Sequence, residues 1–107
     1  MPGVDTVFVG PFDLCFSLGL FQRHGFPQGL ASDEFRAARR RVVACCASAG
    51  VAAGIFSTGA GDAPGLLTEG FSLLAVGTDV GLVDEGLQRS TAEVERLRAG
   101  ARKAQLP

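Results

Sequence analysis

Three short runs, Thr6–Val9 (TVFV), Val51–Phe56 (VAAGIF) and Phe71–Val76 (FSLLAV), are apolar almost without a break. A strand with one face in water alternates apolar and polar side chains. Unbroken runs therefore read as strands covered on both faces, the habit of a parallel sheet. Parallel neighbours cannot be joined by a tight turn, so each gap must hold a crossover. The first gap offers a short helical turn within DLCFSLGL and a Gly- and Pro-containing loop over residues 21–31. A helix follows, capped by Ser32, with Asp33 and Glu34 at the positive end of its dipole. Phe35, Ala38, Val42, Cys46 and Ala49 recur along it at helical spacing, and Gly50 ends it. The second gap holds the loop STGAGDAPG and a brief helix through Leu66, Leu67 and Glu69, stopped by Gly70. Beyond the third run, Val83, Leu87, Val94 and Leu97 fit a broken amphipathic helix. The expected order is β-α-β-α-β-α with right-handed crossovers.

A chain of 107 residues has room for one core, so residues 1–107 are expected to form a single α/β domain. Three parallel strands are few for a free-standing sheet and leave both outer edges open, so that domain reads as incomplete. Hydrophobic residues make up 47% and mean hydropathy is +0.27, which calls for extensive burial. Yet the apolar runs fall far short of the roughly 20 residues of a membrane helix. No membrane partner and no secretory leader are expected, and the default location is the cytoplasm. A net charge of −1 offers no general attraction to phosphate backbones, so nucleic acid is not an expected partner. Cys15, Cys45 and Cys46, odd in number and without CxxC spacing, read as reduced thiols. The Arg39–Arg41 run, largely opposite the apolar helix face, reads as solvated, as does His24 in its polar loop.

Each apolar run ends on a loop of small or polar residues: GPFDL, STGAG and GTD. In a parallel sheet these carboxyl ends share one rim, where backbone amides and short side chains can meet a ligand. Asp13 fits two roles there. It can be a carboxylate ligand for a hard divalent cation, Mg²⁺ or Mn²⁺, beside amides that grip a substrate carboxylate, or it can N-cap the turn that follows. STGAG suits a phosphate cradle or a plain flexible loop, and no Walker lysine follows it. Asp79 suits a cap on the last helix.

Taken in order, VDTVFVGPFDLCFSLG, AGVAAGIF and EGFSLLAVGTDVGLV resemble the C-terminal part of the HpcH/HpaI aldolase family. The likeness is strongest to its class II 4-hydroxy-2-oxoheptane-1,7-dioate and 2-dehydro-3-deoxyglucarate aldolases. The resemblance implies the last three β/α units of a (β/α)8 TIM-type barrel, here incomplete. It implies a lyase that makes or breaks a carbon–carbon bond between pyruvate, or another 2-oxo acid, and an aldehyde, with a divalent metal (Mg²⁺ or Mn²⁺) as cofactor and a homo-oligomeric assembly. Carried over by position, Asp13 is the metal-binding aspartate, and Phe12 with Asp13 supplies amides for the pyruvate carboxylate. Phe56 and Thr78 line the apolar wall. Phe12 stands where the family commonly has Ala or Ser, Phe56 where it has Leu, and Thr78 where it has Val or Ser. The family's metal Glu, its enolate-stabilising Arg and its catalytic His have no counterpart in this sequence. The isolated chain is therefore expected to lack aldolase activity, and the rival expectation is a noncatalytic oligomerisation or interaction module.

Overall fold

The structure, a computed structural model, describes residues 2–106. It resolves into two compact units, Met1–Val76 and Gly77–Pro107. The first holds a three-stranded parallel sheet in the order β1 (Thr6–Val9), β2 (Ala52–Ser57), β3 (Leu73–Val76). Thr6 pairs with Ala52 and Val9 with Ile55 on one side, and Gly54 with Leu73 and Ser57 with Val76 on the other.

The helices of both crossovers pack on one face of the sheet, where right-handed connections stepping the same way across a parallel sheet would put them. The first contributes α1 (Pro11–Ser17), α2 (Leu20–His24), a 3₁₀ turn at Gln28–Ala31 and α3 (Asp33–Ala49). The second contributes a 3₁₀ turn at Ala60–Asp62 and α4 (Ala63–Glu69). Ala53 and Ile55 of β2 and Val9 of β1 are buried with Cys46 of α3, Leu66 of α4 and Phe71. A second cluster of Cys15, Leu20 and Phe35 ties α1, α2 and the first half of α3 together. Burial raises the Cys15 thiol above its ordinary value, as suits a reduced, unreactive side chain. Alternation along the strands sends Phe8, Gly54 and Leu73 to the opposite face. Phe8 and Leu73 there are each 48% exposed, so the expected helical cover on both faces is met by this unit's helices on one face only. A Cβ at Gly54 would fall 2.8 Å from the Phe8 ring and 3.3 Å from Leu73 Cβ, so the two large side chains close over a bare backbone.

The helix punctuation follows the sequence. Ser32 Oγ accepts the Phe35 N–H at 3.2 Å, and α3 stops at Gly50 in the left-handed conformation. Residues 21–31, expected as loop, carry the rest of α2 and the 3₁₀ turn, because Leu20 and Phe35 bury together and hold this stretch in helical turns. In the second unit α5 (Asp79–Ala104) is continuous rather than broken, and its internal Gly81, Gly86 and Gly100 leave it helical. Thr78, not Asp79, caps it, accepting the Gly81 N–H at 3.0 Å, while Asp79 Oδ1 accepts the Val80 N–H. No helix among the described residues is long and apolar enough to cross a membrane.

Ile55, 1% exposed at the centre of the first core, is the position where a cavity costs most. Ile55→Ala should lower stability by about 2–5 kcal/mol. Leu67→Ala, on an exposed side chain of α4, should stay within about 0.5 kcal/mol. Urea unfolding of both variants checks the contrast.

Candidate functional site

The carboxyl end of β1 runs without a linker into α1. Gly10 takes the N-cap position, with no side-chain cap bond, and Pro11 opens the helix, where its missing N–H costs nothing. The first helical bond is Leu14 N–H to Gly10 O at 2.9 Å. The N–H groups of Phe12 and Asp13 belong to the first turn and have no carbonyl partner within the helix. Asp13 is therefore not the N-cap that its residue type suggested. It is an exposed carboxylate in the first turn, folded back over Gly10: a Cβ there would fall 2.5 Å from Asp13 Oδ2. Glycine at position 10 is what admits this rotamer.

Beside this turn lies an open pocket of about 530 Å³. Phe12 from α1 and Phe56 from the end of β2 both line it, so two expected site residues are brought together. Its floor is polar. Arg39 of α3 donates to Glu69 of α4 through Nε at 3.2 Å and Nη2 at 2.7 Å, and the guanidinium lies 5.2 Å from the centroid of the Phe35 ring. Arg39 is thus not part of a solvated run. It shares the helix face of Phe35 four residues earlier, a spacing visible in the sequence, whereas Glu69 lies 30 residues away and left no such trace. The STGAG loop is tied to itself: Ser57 Oγ lies 2.8 Å from Gly59 O and 3.1 Å from Asp62 Oδ2. The hydroxyl that a phosphate cradle would present is turned onto its own loop. Thr78 belongs to the second unit and acts there as the cap of α5.

Around the rim, Phe26 stacks on Phe12 with centroids 6.0 Å apart and meets Phe21 edge-on at 5.3 Å. His24 ends α2 and reaches Glu34 Oε1 at 3.1 Å. The Glu34 carboxyl is held below its ordinary value first by its own backbone N–H and then by His24. Among the described residues no group of three His, Cys, Asp or Glu side chains is placed to hold a metal ion. Hard divalent cations take six or more oxygens, so Asp13 by itself does not amount to a site for one.

A parallel α/β unit that gathers its polar loops at the strands' carboxyl ends belongs to the large class of α/β proteins that bind ligands on that rim. Comparison with known proteins narrows the class. The profile of the HpcH/HpaI aldolase/citrate lyase family matches residues 1–85, and this chain belongs to that family. It is 34% identical over 91 residues to a hydroxypyruvate/pyruvate aldolase of Chromohalobacter salexigens, a match covering 85% of this chain and 34% of that protein. A 5-keto-4-deoxy-D-glucarate aldolase of Escherichia fergusonii is 34% identical over 87 residues, covering 81% and 32%. A crystal structure of an HpcH/HpaI aldolase/citrate lyase family protein from Burkholderia cenocepacia superposes with a TM-score of 0.77 at 34% identity, covering 88% of this chain and 34% of that one. The chain thus spans about a third of the length of these relatives.

The Arg39–Glu69 pair joins α3 to α4 beneath the pocket, with side chains only 20% and 16% exposed. Glu69→Gln leaves a half-buried guanidinium facing an amide and should lower stability by about 1–3 kcal/mol. Replacing both partners, Arg39→Met with Glu69→Leu, should recover most of that loss in a double-mutant cycle read by urea unfolding.

Proposed function

We propose that this chain supplies part of the active-site rim of a metal-dependent aldolase that joins or cleaves pyruvate, or another 2-oxo acid, and an aldehyde. The observation that carries the reading is Asp13: an exposed carboxylate beside two amides without helical partners, at a strand's carboxyl end, in a chain of the HpcH/HpaI family. In this reading Asp13 is one ligand of a divalent ion, Mg²⁺ or Mn²⁺. The Phe12 and Asp13 amides hold the substrate carboxylate, and Phe56 forms part of the apolar wall. The metal would supply Lewis-acid stabilisation of an enolate. This chain's own share is to bind and orient, because the remaining ligands and the acid–base groups are not among its residues. The strands then stand as the last three β/α units of a TIM-type barrel, and the chain alone is inactive.

A second reading rests on α5. Val80, Val83, Leu87, Val94 and Leu97 recur at helical spacing along it, each more than half exposed. Such a stripe suits a noncatalytic role in oligomerisation.

Pyruvate release with Mg²⁺ or Mn²⁺ separates the two readings. The chain alone should give none. Fused behind the part of the Chromohalobacter salexigens relative that lies outside the matched residues, it should give measurable release, and Asp13→Ala should lower that by about 100-fold or more, a loss of roughly 2.7 kcal/mol. Full activity in Asp13→Ala would remove the role given to Asp13. An inactive fusion whose chain self-associates through α5 would favour the second reading.

A further inference from the structure

Phe12 faces two ways. Its backbone N–H is one of the two amides at the start of α1 without a helical partner, and its ring is a wall of the pocket of about 530 Å³. A molecule held at that amide therefore lies within one side chain's reach of the pocket. The ring is held by Phe26, stacked on it with centroids 6.0 Å apart, and Phe26 is braced edge-on by Phe21 at 5.3 Å. Phe12 is still 39% exposed, so part of the ring is left for a bound group. Phe35 and Phe56 line the same space. Aromatic rings on several sides suit a flat apolar occupant, which can meet them by face or by edge.

The polar lining decides what that occupant can carry. Arg39 commits Nε and Nη2 to Glu69, and its Nη1 has no partner among the described residues. A guanidinium has five N–H donors, so some remain for an acceptor on a bound molecule. Asp62 Oδ2 accepts from the Ser57 hydroxyl, and its Oδ1 has no partner among the described residues. The pocket thus offers both a donor and an acceptor. Its charges are the two carboxylates of Asp62 and Glu69 against one guanidinium. A further carboxylate brought there would lose water without meeting a net opposite charge. A neutral hydroxyl can use either polar group and carries no such penalty.

We infer that this pocket takes a neutral aryl group bearing a hydroxyl, and that this group is the substituent of the aldehyde. The first half rests on the pocket, and the second rests on the aldolase reading of the chain. The substrate is then a 4-hydroxy-2-oxo acid with a hydroxyaryl group on the carbon that bears the 4-hydroxyl. Cleavage breaks the bond between that carbon and its neighbour toward the keto group. The 4-hydroxyl loses its proton and becomes the aldehyde carbonyl, the bonding pair stays on the neighbouring carbon as the enolate, and a proton returned to that carbon gives pyruvate. Phe12 and Asp62 set specificity in this arrangement, and Phe26 is a positioning residue that acts through Phe12.

Binding to the full 107-residue chain tests the pocket without requiring turnover. The probes are para-cresol and para-toluate, the same methylated ring carrying a hydroxyl or a carboxylate. In NMR titrations para-cresol should shift the Phe12, Phe56 and Arg39 signals saturably, and para-toluate should bind about tenfold more weakly. Asp62→Asn, at an exposed position, should close most of that gap. Phe12→Ala keeps the backbone amide and should weaken para-cresol by about tenfold. Binding of para-toluate as tight as that of para-cresol overturns the inference, as do shifts confined to residues outside the pocket. Turnover in the fusion with the Chromohalobacter salexigens portion then tests the aldehyde. Pyruvate release from the para-hydroxyphenyl substrate should exceed that from its para-carboxyphenyl counterpart by about tenfold, and Asp62→Asn should narrow the ratio. Asp13-dependent release that favours the carboxyphenyl substrate overturns the inference and leaves the aldolase reading standing. A fusion that releases pyruvate from no 4-hydroxy-2-oxo acid overturns the aldolase reading and, with it, the assignment of the aryl group to an aldehyde.

Discussion

Ala53 and Ile55 are buried to 4% and 1% because β2 has a strand on each edge and two helices across one face. Those conditions are not independent. A parallel neighbour can be reached only through a crossover, and a right-handed crossover delivers its helix to the same face each time. Pairing β1 with β2 therefore brings Val42 and Cys46 of α3 onto Val9, and pairing β2 with β3 brings Leu66 of α4 and Phe71 onto Ile55. Hydrogen bonding and apolar burial are satisfied by one set of connections. The cost is that nearly every stabilising contact of the core joins residues distant in sequence, so the sheet and its helices must form together.

The same constraint locates the candidate site. Three strands running one way put Gly10, Ser57 and Val76 at corresponding strand ends, and the first two open directly into the loops that bear Phe12, Asp13 and Asp62. Because α3 and α4 both run back down the sheet, Arg39 and Glu69 can meet across the gap between them and join the two loop-bearing segments from below. An ion pair at that position contributes less to net stability than its geometry suggests, since both charges lose solvent. Its effect falls on placement: it couples the helix beneath Phe12 to the helix that follows Asp62.

The strands and the long helices were legible because their signals are local. Unbroken apolar runs mark β1, β2 and β3, and Ser32, Gly50 and Gly70 mark where helices start and stop. What escaped is set by partners far along the chain. Residues 21–31 contain Gly and Pro and look like loop, yet Leu20 and Phe35 converge on Cys15 and draw the stretch into helical turns. Arg39 looked solvated because Glu69 is 30 residues away. Asp79 suited a cap on the last helix, yet Thr78, one residue earlier, takes that position. At the site, the place of Asp13 just beyond the carboxyl end of β1 was legible, whereas its departure from the N-cap position depends on Pro11 taking the first helical residue.

Asp13, in the first turn of α1, follows directly on β1, which is a strand with a free edge. One carboxylate does not satisfy a hard cation, and the N–H and C=O groups of Thr6 and Phe8, which point away from β2, do not satisfy a sheet. Both deficits lie on β1, one at its carboxyl end and one along its side. A strand hydrogen-bonded there in parallel runs in the same direction at a spacing of about 4.8 Å, so its own carboxyl-end loop emerges beside Gly10 and Asp13. A parallel strand on this edge therefore also presents its loop to the site. An antiparallel strand would pair the same groups and bring the wrong end to the rim, which is why the direction of pairing on β1, rather than pairing as such, connects the fold of this chain to any chemistry at Asp13.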